Sequence, residues 1–585
     1  MKTGPGSFLR IALAALLLTG LSACGKGGGS VGSTISNMLS SMSSVSTPST
    51  PAAPAISAAD AARFLTQATF GPGDAQITAL TTSSFAAWLS AQTTASVSSP
   101  THLGWVDQRL VQLQATTPSA TLSANQFYES FWQHAVLAPD ELRQRVKFAL
   151  SQIFVISLAD ASVDVRGAAS YYDMLGNDAF GNFRQLLNDV TYHPMMGVYL
   201  TYMSNQKESA DGTRTPDQNY AREVMQLMTI GLYKLNPDGT NQLDGSGNPV
   251  PTYSQTDILG LAKVFTGLGW YNASPTNTTF NGGNKDPNAT ITSMIAYPSF
   301  HSTSQKDFLG VTISAASTPD TAGDIKIALD ALFNHPNVGP FISLRLIQQL
   351  VTSNPSPAYV QRVASVFNNN GSGVRGDLAA VVTAILTDTE ARSTSNETVA
   401  GFGKLREPVV RLANWMRAFN AVSQSGNWLM TSTSATTSLG ESPLNSPSVF
   451  NFWRPGYAPP NTQLATNNLL SPEFQNVNEV TNAGYLNTMQ GAIGNGIGTG
   501  SDIQSQYAAE IAIASDANAL ADRTNRLLLY GQMSPTLRQR LVDAINSVAV
   551  PGGTATQTQI NTALLNRAKI AVLLTMASNE YLVQR

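Results

Sequence analysis

The sequence predicts a mainly α protein: a large multi-helix globular body with one β-hairpin excursion and long Gly/Pro/Ser-rich loops. Three observations carry that expectation. Apolar residues recur at three- and four-residue intervals through most of the chain, the period of a helix with one buried face. Strand-like alternation is confined to short runs, the clearest at 232–253, where Asp-Gly and Gly-Asn turns punctuate it. The stretches 280–300 and 424–460 are polar and rich in Gly and Pro, as loops over a helical body would be.

Lys2 and Arg10 precede the apolar run IALAALLLTGLSA, which is too short to cross about 30 Å of hydrocarbon as a helix. Residues 1–23 therefore read as a signal peptide. Leu21, Ser22, Ala23 and Cys24 resemble a bacterial lipobox, and the resemblance implies that the Cys24 thiol carries diacylglycerol at the mature N-terminus. Cys24 is the one cysteine in 585 residues, so no disulfide can form. Residues 24–56, beginning with the lipidated cysteine, form a nearly uncharged Gly/Ser/Thr/Pro tether that holds the body clear of the lipid surface. Gly28 to Gly32 match the G-x-S-x-G elbow of serine hydrolases but lack its strand–turn–helix setting. The expected location is the cell envelope, lipid-anchored to a bacterial membrane and periplasmic or surface-exposed. Gly rather than Asp at position 25 favours the outer membrane.

Residues 57–585 make the body, with a separate C-terminal helical subdomain conceivable from about 470. Ser57 caps the first amphipathic helix, which ends before Gly71 and Pro72. Further helices are expected over 126–137, 141–156, 183–191, 218–232, 256–266, 324–333, 357–368, 376–386, 403–422, 535–548 and 559–578. DVTYHPMMGVYL at 189–200 and ALFNHPNVGPFI at 331–342 each end a helix at His-Pro, which places His193 and His335 at helix–helix corners, capping carbonyls.

Charged residues make up 12% of the chain against about 25% in typical soluble proteins, and the net charge is −3. With no Lys/Arg run, nucleic acid is excluded as a partner. The Asp/Asn-rich turns at 238–248 miss the glutamate that closes an EF-hand loop. GNGIGTG at 494–500 and GFGKLREP at 401–408 are incomplete as phosphate-binding loops. Trp132, Trp270, Trp453 and Tyr457 offer aromatic surface for a sugar but suit a core equally well.

AARFLTQATFGP at 61–72, FWQH at 131–134, FRQLLNDVTYHPMM at 183–196 and NYAREVMQLMTIGLYKLNPDG at 219–239 are followed by FTGLGW at 265–270, GVRGDLAAVVTAIL at 373–386 and SVFNFWRPGYAPP at 448–460. In order and chemistry these segments resemble the bacterial exported family catalogued as domain of unknown function 1800. The resemblance implies export, and a partner in a second exported protein of the alkaline-phosphatase or sulfatase-like type, often encoded alongside. Where many relatives read N-E-N-Y-A-R-E-L-M-E-L-H-T-L-G, this chain has Gln218 and Gln226 for two glutamates and Met228 for the histidine.

On a helical wheel Asn219, Glu223 and Gln226 share one stripe, and Ile230 within it suggests that protein covers the face with Arg222 and Glu223 paired inside. A covered glutamate has a raised pKa unless a cation such as Arg222 offsets it. The sharpest chemical hypothesis joins Glu223, as acid/base, with His193, supported by Arg222, Asn219, His134, His301 and a buried Arg454. The five histidines contain no H-E-x-x-H pair, so no metal site is expected, and nothing identifies a cofactor. Two functional classes remain. One is an assembly or binding component working with the exported partner, favoured because the acids and histidine of the relatives are missing. The other is an envelope hydrolase using Glu223 and a histidine in a helical cleft.

Overall fold

Helices in this chain start where a short polar side chain can bond the amides that have no partner in the first turn. Ser57 accepts from the Asp60 amide at 3.0 Å, Ser356 from Tyr359 at 3.1 Å and Ser534 from Leu537 at 3.1 Å. Pro357 and Pro535 follow two of these caps, at the position where a missing N–H costs nothing. The computed structural model describes residues 55–585; the signal segment, Cys24 and the tether up to residue 54 lie outside the described residues. The described part contains 25 helices and only small antiparallel pairs of strands.

Most expected helices stand, with ends moved by local chemistry. Pro357–Asn368 matches fully. The helix expected over 403–422 is shorter, Pro408–Ala418, because Lys404–Leu405 is instead a strand paired with Val583–Gln584. The helix expected over 218–232 is Asn219–Gln226. It closes on Gly231, whose φ of +72° favours glycine, with the Ile230 and Gly231 amides both bonded to the Met225 carbonyl. Ile230 is thus buried in a turn rather than on the polar stripe.

The 232–253 excursion folds back on itself through antiparallel bridges, Leu235 to Asn241, Leu243 to Pro249 and Tyr233 to Pro251, so that three short runs meet rather than two. Lys234 donates to Val250, Val250 to Gln242 and Gln242 to Lys234, a closed triangle of backbone hydrogen bonds at 2.7–3.0 Å. A regular hairpin forms where none was expected, Lys306–Phe308 against Val311–Ile313. Its first strand packs on the helix Gln255–Val264 at Gly260, where any Cβ would collide with the Asp307 carbonyl.

Residues Ile56–Arg585 form one compact unit, which includes the helices after 470. Trp132, Trp270 and Trp453 are core residues. The segment 424–460 carries no regular element, yet it buries Trp428, Met430 and Leu439, with Glu441 and Ser442 among them.

Candidate functional site

Glu223 lies on the helix Asn219–Gln226 and is 7% exposed. Burial raises its carboxyl pKa, and Arg222 offsets this only in part. The expected internal pairing is absent: Arg222 is exposed, and Glu223 Oε2 is buried without a hydrogen-bond partner. Asn219 reaches Thr201 Oγ1 at 3.4 Å. No hydrogen bond or ion pair among the described residues joins Glu223 to a histidine.

The histidines are separately employed. His193 caps the helix Pro194–Tyr199 through Nδ1, which accepts from the Met195 amide at 3.2 Å, and His335 does the same for Asn337 at 3.1 Å. Both imidazoles bond amides rather than the expected carbonyls, because the helix that begins there exposes N–H groups. Burial pulls the His193 pKa down to about 3. The His134 ring lies 4.3 Å from that of His102, tilted by 35°, and faces the Ser130 and Pro100 carbonyls, each at 2.8 Å. Burial, then the nearby Lys147 charge, lower its pKa. His301 bonds the Thr266 carbonyl at 2.7 Å and Asp324 at 2.9 Å, and Lys306 reaches the same Asp324 oxygen at 2.9 Å. Arg454, expected to be buried, is exposed, its guanidinium 5.0 Å above the Phe450 ring.

One buried ionic cluster is built from residues the sequence did not single out. Lys404 Nζ stands 2.8 Å from Glu407 Oε1 and 3.1 Å from Glu473 Oε1, all three side chains at 4% exposure or less. Lys404 and Arg145 both donate to the Gln349 carbonyl, at 3.0 and 2.6 Å. Gln152 donates to Glu407 Oε2 at 2.6 Å and accepts from Asn451 at 3.1 Å. Glu441 accepts from the Val409 amide at 3.1 Å.

The three glutamates differ in environment. Burial pushes Glu407 up, but Lys404 and Arg145 outweigh it and hold the carboxyl below its ordinary range. Burial and the Glu407 charge drive Glu441 well above that range, and burial raises Glu473 against the pull of Lys404. Carboxyls whose environments push their pKa values in opposite directions are an arrangement also found in acid/base catalysis. Access decides against that use: the cavity lined by Gln152, Glu441, Ser442 and Asn451 measures about 10 Å³, room for about one water. The only trace of this cluster in the sequence is Lys404 and Glu407 within GFGKLREP. Its other members, Arg145, Glu441 and Glu473, come from segments far apart in the chain.

A family model described as "Protein of unknown function (DUF1800)" matches residues 63–583. The chain belongs to that family. No curated protein matches this DUF1800 chain, and no solved structure does. Among its described residues no three His, Cys, Asp or Glu side chains are placed to hold a metal ion, and no helix is long and apolar enough to cross a membrane.

Proposed function

We propose that this DUF1800 protein is a cell-envelope component, anchored to a bacterial membrane by lipid on Cys24, that works by binding an exported partner of the alkaline-phosphatase or sulfatase-like type. The observation that carries this reading is the dispersal of Glu223, His193, His134 and His301, each in its own internal contacts or, for Glu223 Oε2, in none. A hydrolase needs its base and acid within reach of one reacting atom. Protein surface suited to a partner is present on the 232–253 excursion, where Leu232, Tyr233 and Leu243 keep 43–60% of their area in water.

The test uses the lipidated full chain and a purified exported protein of the alkaline-phosphatase or sulfatase-like type from the same organism. Direct binding that Leu243→Asp and Tyr233→Asp weaken at least about tenfold, worth about 1.4 kcal/mol, is expected, while Glu223→Gln leaves it intact. Hydrolysis of an envelope polymer that Glu223→Gln abolishes in a still-folded protein overturns the reading. An intact-mass spectrum showing an unmodified Cys24 thiol removes the anchor.

A further inference from the structure

A second opening, solvent-open and about 550 Å³ in volume, lies within the size range of small-molecule sites. Its walls run straight out of the ionic cluster: Phe402 precedes Lys404, Leu469 precedes Glu473, and Asn354 follows Gln349. Asn354 ties these walls together. Its Nδ2 donates to the Gly401 carbonyl at 3.3 Å and the Leu470 carbonyl at 2.9 Å, and its Oδ1 accepts from the Leu470 amide at 2.7 Å. Such fixed walls lower the ordering cost of binding.

The lining selects a class of ligand. Its cation, Arg362, is forked onto Asp388 by two bonds of 2.7 Å, and its acid, Glu390, is occupied by the Ser356 amide at 2.9 Å and the Ser356 hydroxyl. A charged ligand would have to compete with Asp388 for Arg362 and with Ser356 for Glu390. Ser393 shares its hydroxyl with Ser395 at 2.7 Å and Asn396 Nδ2 donates to the Glu390 carbonyl at 2.8 Å, so a purely apolar ligand would waste only the hydrogen-bonding capacity these two groups have left, at a cost of up to about 1–3 kcal/mol for each group stranded. The same lining includes the apolar side chains Phe402, Leu469 and Val399, the last 48% exposed to solvent.

We propose that this cleft binds a neutral saccharide. A pyranose ring has a C–H face that can cover Val399 and Leu469 and a hydroxyl rim that can bond Ser393 and Asn396, and the volume admits a short oligosaccharide. This assignment does not depend on the proposed partner, whose surface lies on a different segment.

The experiment titrates the full chain with tri-N-acetylchitotriose and with maltotriose, reading heat and the methyl NMR signals of Val399 and Leu469. One of the two is expected to bind with little dependence on salt, to shift both methyl signals, and to lose affinity at least about tenfold in Val399→Arg and Leu469→Asp, each checked for folding by its melting curve. The methyl shifts in the unmodified protein identify the cleft even if a variant does not fold. The assignment is overturned by absence of binding up to about 10 mM, a full decade weaker than a Kd of about 1 mM. Binding that leaves those methyls unmoved overturns it too, as does an uncharged Ser/Thr/Ala peptide taking the cleft where the sugars do not.

Discussion

Lys404 and Glu407 meet at 2.8 Å with their side chains 2% and 1% exposed, one on the strand that pairs with the last residues of the chain, the other at the N-terminal boundary of the helix Pro408–Ala418. The carboxylate gains from the helix dipole as well as from the ammonium. A pair so far from water owes its stability to staying intact, since removing one partner leaves the other charged and dry.

Lys404→Met is therefore expected to cost about 3–5 kcal/mol in urea unfolding, with Glu407→Gln in the same range. The double variant should lose less than the sum of the two, because neither Lys404 nor Glu407 then faces a missing partner, although Glu473 and Arg145 each still lose an ion pair. Additive losses would mean that the two groups do not interact.

Glu441 supplies a pH signature. Its folded pKa lies well above the ordinary carboxyl value, so the folded state holds the proton more tightly and this contribution to stability is present in acid and lost as pH rises. Glu441→Gln keeps an oxygen for the Val409 amide and removes the titration. Melting curves of the variant are expected to match the parent near pH 4 and to exceed it increasingly towards pH 8. A parent that is flat across that range sinks this assignment.

His193 should act in the opposite sense. Its pKa falls to about 3 on folding, so its contribution is full above the ordinary value of 6.5 and is lost as pH drops towards 3. His193→Asn can still accept the Met195 amide from the cap position and is expected to stay within about 1 kcal/mol of the parent at pH 7.5, while softening the acid loss. His193→Ala should lose about 1 kcal/mol for the cap plus the packing of the ring on Tyr171. Identical acid profiles for parent and Asn variant would show that His193 does not titrate with folding.

Glu223→Gln removes a buried charge of which one oxygen has no partner. We expect no loss of stability at pH 7.5, and a gain of up to about 1 kcal/mol. Strong destabilisation would reveal an ionic partner for Glu223.

Gly71 has a φ of +107°, and a Cβ there would fall within 3 Å of the Asn414 side chain. Gly71→Ala adds overpacking of about 1–3 kcal/mol to backbone strain of about 1–3 kcal/mol, and thermal unfolding should show a loss in that combined range. Unchanged melting would show that Asn414 can move aside.

Local signals in the chain specify a helical body, the starts of helices such as Pro357–Asn368 and the corner positions of His193 and His335, because apolar period, Ser caps and His-Pro pairs act within a few residues. The sequence also carried the family, through motifs spread along nearly the whole matched length. Only the tertiary structure decided which polar residues share an environment. Glu223 and His193 lie in successive motifs, 219–239 and 183–196, yet end in separate contacts, whereas Arg145, Lys404, Glu441 and Glu473 come together from distant segments. Burial and charge cancellation are set by contacts between distant segments, so no local spacing records them.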